Sequence, residues 1–229
     1  MTSIDWSGVR DRVAELADRP EGSVFGANSH HFLLEPPLSP DELTELEEQV
    51  GVQLPEEYRS FLLEVSSGGA GPAYGLFPLR RVDGRWRWEG DGADLTDPAT
   101  LGEPFPYTEF FNPAEGLPDP PDEDDYASTE EFNAAEDAYW ETHDKVAYDP
   151  RHTVGTIYLS HLGCAYRHLL VVSGPERGAM WADDTADDGG LKPLTDARGD
   201  RVGFARWYLD WLDKAHDQSH QPHTTPIGG

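Results

Sequence analysis

The sequence predicts an α+β fold in a single domain, with a mixed, mostly antiparallel sheet flanked by helices and an acidic, partly helical insertion. Three observations lead to this prediction. Amphipathic helical patterns occur in residues 4–18 and 40–65, short runs of β-branched and aromatic residues follow between 78 and 183, and one more helical pattern precedes the C-terminus. Helices and strands grouped in this way are typical of α+β proteins rather than of alternating βαβ units. The domain is expected to span residues 1–216, with a flexible tail at 217–229.

The first half of the chain carries clear helix signals. Apolar residues recur at helical spacing over residues 4–18, which predicts an amphipathic helix. In the stretch Ser39–Glu42 the serine can cap a helix, Pro40 fits the first helical position, and the glutamate can close a capping box. Gly51 fits the left-handed position that ends a helix. The next helix is expected to begin at Pro55. Its apolar stripe comprises Tyr58, Phe61, Leu62 and Val65.

Strand signals begin after this helix. The stretch PLRRVDGRWRWEG alternates around Asp83–Gly84, which predicts a hairpin with a two-residue turn. Trp86 and Trp88 fall on one face of it and are expected in the core. The stretches TVGTIYLS, YRHLLVVS and GAMWAD predict three further short strands. Aromatic residues from Phe204 to Trp211 then predict a final amphipathic helix.

A glycine pair, Gly68–Gly69, raises the question of a phosphate-binding loop. Such loops precede a helix, so that the helical N–H groups point at the anion. Here the pair follows a helix and therefore lies at its negative end, and no Lys-Ser or Lys-Thr follows. The pattern favours a sharp turn at which the chain passes close to another element, because glycine permits both.

Net charge is the outlying property of the composition. The chain has 44 Asp and Glu but only 17 Lys and Arg, a formal charge of −27. We expect no binding to nucleic acid or anionic membranes, which such a chain repels, and a charged partner would be basic. Surplus acidic residues also serve solubility alone. The sequence shows no signal peptide and no apolar run of membrane-spanning length, so we expect a cytoplasmic protein.

The negative charge is densest in an insertion at about residues 90–150. Residues 115–144 contain twelve Asp or Glu and no Lys or Arg. Ser128 and Glu131 match a capping box, so part of the segment is expected to be helical. The segment is either a solvated insertion or a docking surface for a basic protein. The residues that would contact the partner are Asp122, Glu123, Asp124, Asp125, Glu130, Glu131, Glu136 and Asp137.

Two patterns invite a metal-binding interpretation, and each fails a test. The stretch DDTADDGG at 183–190 lacks the residues that an EF-hand requires, which favours a polar turn between a strand and a helix. His216, His220 and His223 have helical spacing, but Pro222 interrupts the helix. A metal-dependent hydrolase that uses the Asp-rich turns is therefore the weaker alternative, and we expect no metal and no cofactor.

Cys164, with His161 and His168 nearby in the sequence, could supply a nucleophile and a base. It is the only cysteine, which excludes an internal disulfide framework and a Cys-based zinc site. A small buried thiol is far commoner than a catalytic one. We expect no catalytic residue and no enzymatic activity.

The sequence resembles the SUKH superfamily of the Smi/Knr type. The first part of the pattern consists of a glutamate-rich helix, a Leu-Pro link, an aromatic helix and a Gly-Gly turn. The later part consists of a glycine in a turn, a glycine followed by a tryptophan, and a final helix that ends in Trp-Leu. The matching residues include Leu54, Pro55, Tyr58, Phe61, Gly68, Gly69, Gly163, Trp181, Trp207, Trp211 and Leu212. Leu54, Tyr58, Phe61, Trp207 and Trp211 are expected to be buried structural residues.

The resemblance implies an α+β fold without catalytic residues. Bacterial members are commonly immunity proteins that bind and neutralise a toxin, often a nuclease, and fungal relatives regulate cell-wall assembly as interaction hubs. Our leading hypothesis is therefore a non-enzymatic immunity protein that associates stoichiometrically with a basic toxin domain through its acidic surface. A regulatory or scaffold protein of the same fold is the alternative, because a shared fold does not determine the partner.

Overall fold

The computed structural model describes residues 4–18 and 24–219. In these residues the helices are α1 (Val9–Ala17), α2 (Ala27–His30), α3 (Pro40–Val50), α4 (Glu56–Glu64), α5 (Thr129–Ala147) and α6 (Phe204–Ser219). The strands are β1 (Leu79–Val82), β2 (Arg85–Trp88), β3 (Thr156–Gly163), β4 (Tyr166–Val171), β5 (Met180–Asp183) and β6 (Leu191–Pro193). The α+β prediction is confirmed. Helix α6 extends into the segment expected to be a flexible tail, and residues 220–229 lie outside the described residues.

The local helix signals act as the sequence indicates. Ser39 Oγ accepts a hydrogen bond from the Glu42 N–H at 3.3 Å, and the Glu42 carboxylate accepts from the Ser39 N–H at 2.8 Å. Gly51 ends α3 with a φ of 71°. Helix α1 is shorter than predicted because Gly8, with a φ of 73°, precedes its first residue. Trp6 lies outside the helix and is nevertheless buried, with its indole N–H donating to Ser60 Oγ at 2.9 Å.

The strands form two antiparallel sheets in the described residues. Strands β1 and β2 make the predicted hairpin, and β3–β4–β5–β6 make the second sheet in that order. Asp83 and Gly84 have φ values of 50° and 76°, as a two-residue hairpin turn requires. Strand β6 was not predicted. The Asp-rich turn therefore connects two strands, β5 and β6, rather than a strand and a helix.

An aromatic cluster joins the helices to the sheets. Phe61 of α4 lies 5.1 Å from Phe204 and 4.7 Å from Tyr208, both of α6, measured between ring centroids. Trp88 is buried, as is Trp86, and its indole N–H donates to the buried Tyr58 hydroxyl at 2.9 Å. The predicted core positions Leu54, Tyr58, Phe61 and Trp207 are all buried, and so is Trp181, one of the residues that carry the resemblance.

Trp211 was expected to be buried and is only partly so. Its ring lies 5.3 Å from Tyr208 and 5.9 Å from His30. Helical spacing puts Trp211 on the same side of α6 as Tyr208, but His30 comes from a distant part of the chain. The sequence therefore predicts correctly which face of α6 carries Trp211, but it overestimates how far this side chain is buried.

The Gly68–Gly69 pair makes the predicted close approach. Gly69 has a φ of 102°, and a Cβ there would overlap the carbonyl oxygen of Leu33. Gly68 is similarly close to the backbone of Pro78. The pair allows three chain segments to come together, which confirms the interpretation as a turn.

Candidate interaction surface

Helix α5 organises the acidic segment, as the sequence predicts. The Ser128 side chain caps it by accepting a hydrogen bond from the Glu131 N–H at 3.3 Å. A 3-10 turn at Glu123–Asp125 precedes the helix, and Asp122 Oδ1 accepts from the Asp124 N–H at 3.1 Å. The candidate carboxylates therefore lie in a 3-10 turn and in a helix.

The inner face of α5 carries its less polar residues. Phe132, Ala135 and Tyr139 are partly buried, and His143 and Ala147 are buried. These positions share one side of the helix because they recur at spacings of three or four. Only the C-terminal end of this face is buried in the protein, because His143 and Ala147 are buried and the other three residues are only partly so.

A buried histidine attaches α5 to the rest of the fold. His143 is 5 % exposed; its Nε2 lies 2.9 Å from Asp188 Oδ1 and its Nδ1 lies 3.2 Å from Asp144 Oδ1. Burial by itself would lower the pKa of His143, but the bonds to the two carboxylates outweigh it and raise the pKa above its ordinary value. His143 thus links α5 to the β5–β6 turn, and the link is stronger when the imidazole is protonated.

The eight predicted acidic residues lie in the 3-10 turn with its cap, Asp122–Asp125, and on α5, and we call these eight residues the acidic face. Seven are exposed and Glu136 is partly buried. None of the eight has an ion-pair partner among the described residues. Glu130 and Glu131 lie in the first turn of α5, where negative side chains interact favourably with the positive end of the helix dipole. These two charges therefore also have a structural role.

Acidic residues elsewhere in the fold are used differently. Glu47 Oε1 lies 2.7 Å from Arg59 Nε and accepts from the Leu54 N–H at 2.8 Å. Glu176 Oε2 lies 2.7 Å from Arg201 Nε. These carboxylates hold segments together, whereas those of the acidic face are free to interact outside the chain.

The Asp-rich turn is held by contacts within the protein. Asp183 Oδ2 accepts from the Tyr158 hydroxyl at 2.6 Å, and Asp188 contacts His143. Asp184 is paired with Lys192, and Asp187 accepts from the Tyr166 hydroxyl. In residues 4–18 and 24–219, no three His, Cys, Asp or Glu side chains are grouped to hold a metal ion.

The other suggested site residues do not come together as a catalytic group. His161 and Cys164 line the same groove, and Cys164 is exposed rather than buried. His168 is instead engaged with Trp207, whose indole N–H donates to its Nδ1 at 3.2 Å; burial lowers the pKa of His168 to about 4. His216 contacts the Arg12 carbonyl oxygen at 3.0 Å, and His220 and His223 lie outside the described residues.

Fold and surface together define an α+β protein that presents an acidic helix. A family model for the SMI1 / KNR4 family (SUKH-1) matches residues 37–159. The match covers more than half of the chain, which therefore belongs to the SMI1 / KNR4 family. Searches of curated proteins and of solved structures found no match.

The matched range has two consequences. It includes the first group of resembling residues, from Leu54 to Gly69, and it also encloses the acidic segment. Trp181, Trp207 and Trp211 lie beyond it. Proteins of this family typically take part in protein interactions.

No helix in the described part of the chain is long and apolar enough to cross a membrane.

Proposed function

We propose that this chain is a non-enzymatic protein-binding module of the immunity type, which neutralises a basic toxin by stoichiometric association through the acidic face. The observation that carries the proposal is the unpaired state of these carboxylates, seven of which are exposed. An exposed carboxylate without an internal cation keeps its attraction for a basic partner. Because these residues already lie in a 3-10 turn and a helix, their backbone does not have to fold when the partner binds.

The charge of the acidic face favours a nuclease as the toxin. A nuclease needs a positively charged surface to hold the phosphate backbone of its substrate. A partner of matching negative potential can cover this surface and exclude the substrate. Membership of a family typically involved in protein interactions supports the same kind of mechanism.

The test begins with affinity capture from host lysate at physiological salt and measures the dissociation constant of the captured basic protein. One variant changes Asp122, Asp124 and Asp125 to Asn and Glu123 to Gln. A control variant removes the same charge from other exposed, unpaired acids. The control substitutions are Asp11→Asn, Asp18→Asn, Glu15→Gln and Glu48→Gln.

We expect the acidic-face variant to bind more weakly than the control and to show a smaller dependence of affinity on salt. Equal losses in the two variants would mean that only total charge matters, and the proposed site would be wrong. The captured protein is then assayed for nuclease activity with one equivalent of this chain. Loss of its activity supports neutralisation, whereas binding without such a loss supports the regulatory or scaffold alternative.

A further inference from the structure

Two grooves lie on either side of the β3–β4 turn. The first, with a volume of about 720 Å³, is bounded by α2, the segment 74–78 and the end of β3. The second, of about 500 Å³, is bounded by the loop 94–103, the end of α5 and the turn. Cys164 lines the first groove and the next residue, Ala165, lines the second. We call the two grooves and the turn between them the hairpin cleft.

The β3–β4 turn forms a ridge between the two grooves, and contacts of the Arg167 side chain fix its position. Its Nη1 donates to the Ala165 carbonyl oxygen at 2.7 Å, and its Nη2 lies 4.0 Å from Asp91. The guanidinium packs on Gly92, which has a φ of 91°, and a Cβ at that position would overlap it. The side chain is only 15 % exposed, so the ridge is part of the fold.

Exposed apolar side chains collect at the hairpin cleft. Of the eight large apolar residues exposed in the described chain, five are found here. Leu33 is 68 % exposed and Tyr74 is 39 % exposed at the first groove, and Phe25, 65 % exposed, lies 5.5 Å from the Tyr74 ring. At the second groove Leu95 and Tyr148 are 48 % and 55 % exposed. Single exposed apolar residues are ordinary, but a cluster of them marks an interaction site.

The charges around the cleft select a cationic partner. Asp94 and Glu103 line the second groove and have no ion-pair partner among the described residues. The two arginines that line it, Arg151 and Arg167, are already paired with Asp149 and Asp91. At the first groove Arg80 is already paired with Glu35 and Glu89. A second copy of this chain, with a net charge of −27, would be repelled from such a rim.

We propose that the hairpin cleft binds an extended segment of a protein partner in which apolar side chains alternate with lysine or arginine. The apolar side chains cover Leu33 and Tyr74 in one groove and Leu95 and Tyr148 in the other. The cationic side chains face Asp94 and Glu103 in the second groove. This surface shares no residue with the acidic face and is a second site, whose existence does not depend on the proposed toxin.

The single cysteine of the chain offers a direct measurement, because Cys164 is exposed on the ridge of the cleft. A phage-displayed library of random dodecapeptides is selected on the full chain, and the enriched peptides are synthesised. Their affinities are measured by fluorescence anisotropy, and their location by the rate at which N-ethylmaleimide alkylates Cys164. We expect enriched peptides that combine Leu or an aromatic residue with Lys or Arg, and that slow alkylation about fivefold or more.

The variant Phe25→Ser/Leu33→Ser removes two exposed apolar side chains and should leave the melting temperature unchanged. It should weaken peptide binding about tenfold or more, as loss of a buried apolar anchor does. The acidic-face variant serves as the control and should bind the peptides within about twofold of the wild type.

No enrichment, enrichment of acidic peptides, or an unchanged Cys164 alkylation rate would each overturn the proposal. The proposal is also overturned if the acidic-face variant loses peptide binding while the Phe25→Ser/Leu33→Ser variant keeps it. That result would mean that the peptides bind to the acidic face rather than to the hairpin cleft. The reverse result supports the cleft, whatever the outcome of the toxin experiment.

Discussion

Replacing His143 with phenylalanine should loosen α5 without unfolding the core. The ring packs against Tyr139 and Trp140, with centroids 5.9 Å and 5.1 Å away, and phenylalanine preserves these contacts. The substitution removes the links to Asp188 and Asp144, which are 55 % and 59 % exposed. A hydrogen bond to a charged group contributes about 1.5–3 kcal/mol when it is well buried. Because both carboxylates are half in water, we expect a loss of about 1 kcal/mol.

Hydrogen exchange followed by mass spectrometry measures this loss locally. A change of about 1 kcal/mol should speed exchange in the C-terminal half of α5 about fivefold, while β3 and β4 keep their protection. Glu141→Gln is the control, because it breaks only an exposed pair with Lys145 at 2.7 Å. It should change exchange less than the His143 substitution does.

The effect has a defined dependence on pH. The folded state raises the pKa of His143, so its stabilisation is fully present below the unfolded value of about 6.5 and is lost as the pH rises through the folded pKa. After correction for intrinsic exchange rates, α5 protection should fall with rising pH in the wild type and stay level in His143→Phe. Equal α5 protection in both proteins at pH 6, or a pH dependence that persists in the variant, would refute this reasoning.

Three further predictions concern stability. Tyr58→Phe should lower the free energy of unfolding by about 1–3 kcal/mol, because the Trp88 indole N–H loses its buried acceptor; in a double-mutant cycle with Trp88→Phe the two losses should be less than additive. Gly69→Ala should cost about 1–3 kcal/mol or more, measured by urea denaturation, whereas Gly51→Ala, with open space around its Cβ, should cost less. Glu47→Gln should lower stability by about 1.5–3 kcal/mol, since Glu47 is 15 % exposed and paired, and Asp124→Asn should stay within about 0.5 kcal/mol. A comparable loss from Asp124→Asn would mean that this residue of the acidic face is structural.

The sequence by itself determined the features whose causes lie within a few residues. The capping box of α3, the Asp83–Gly84 turn and the capped start of α5 depend on hydrogen bonds and backbone angles of neighbouring positions. Strand alternation placed Trp86 and Trp88 on one buried face for the same reason. The high charge density of the acidic segment was also evident, because counting residues requires no geometry.

Only the tertiary structure decided which of those carboxylates are paired within the protein and which are left unpaired. The Asp-rich turn and the acidic face look alike in the sequence, but the turn meets Tyr158, Lys192 and His143 in space, whereas the acidic face meets no cation in the described chain. The cover of Trp211, the link between His143 and Asp188, and the hairpin cleft likewise depend on residues far apart in the chain. Local patterns decide backbone conformation, because its hydrogen bonds are local. Burial and pairing follow from packing between distant segments, and a single sequence does not encode those contacts in any short pattern.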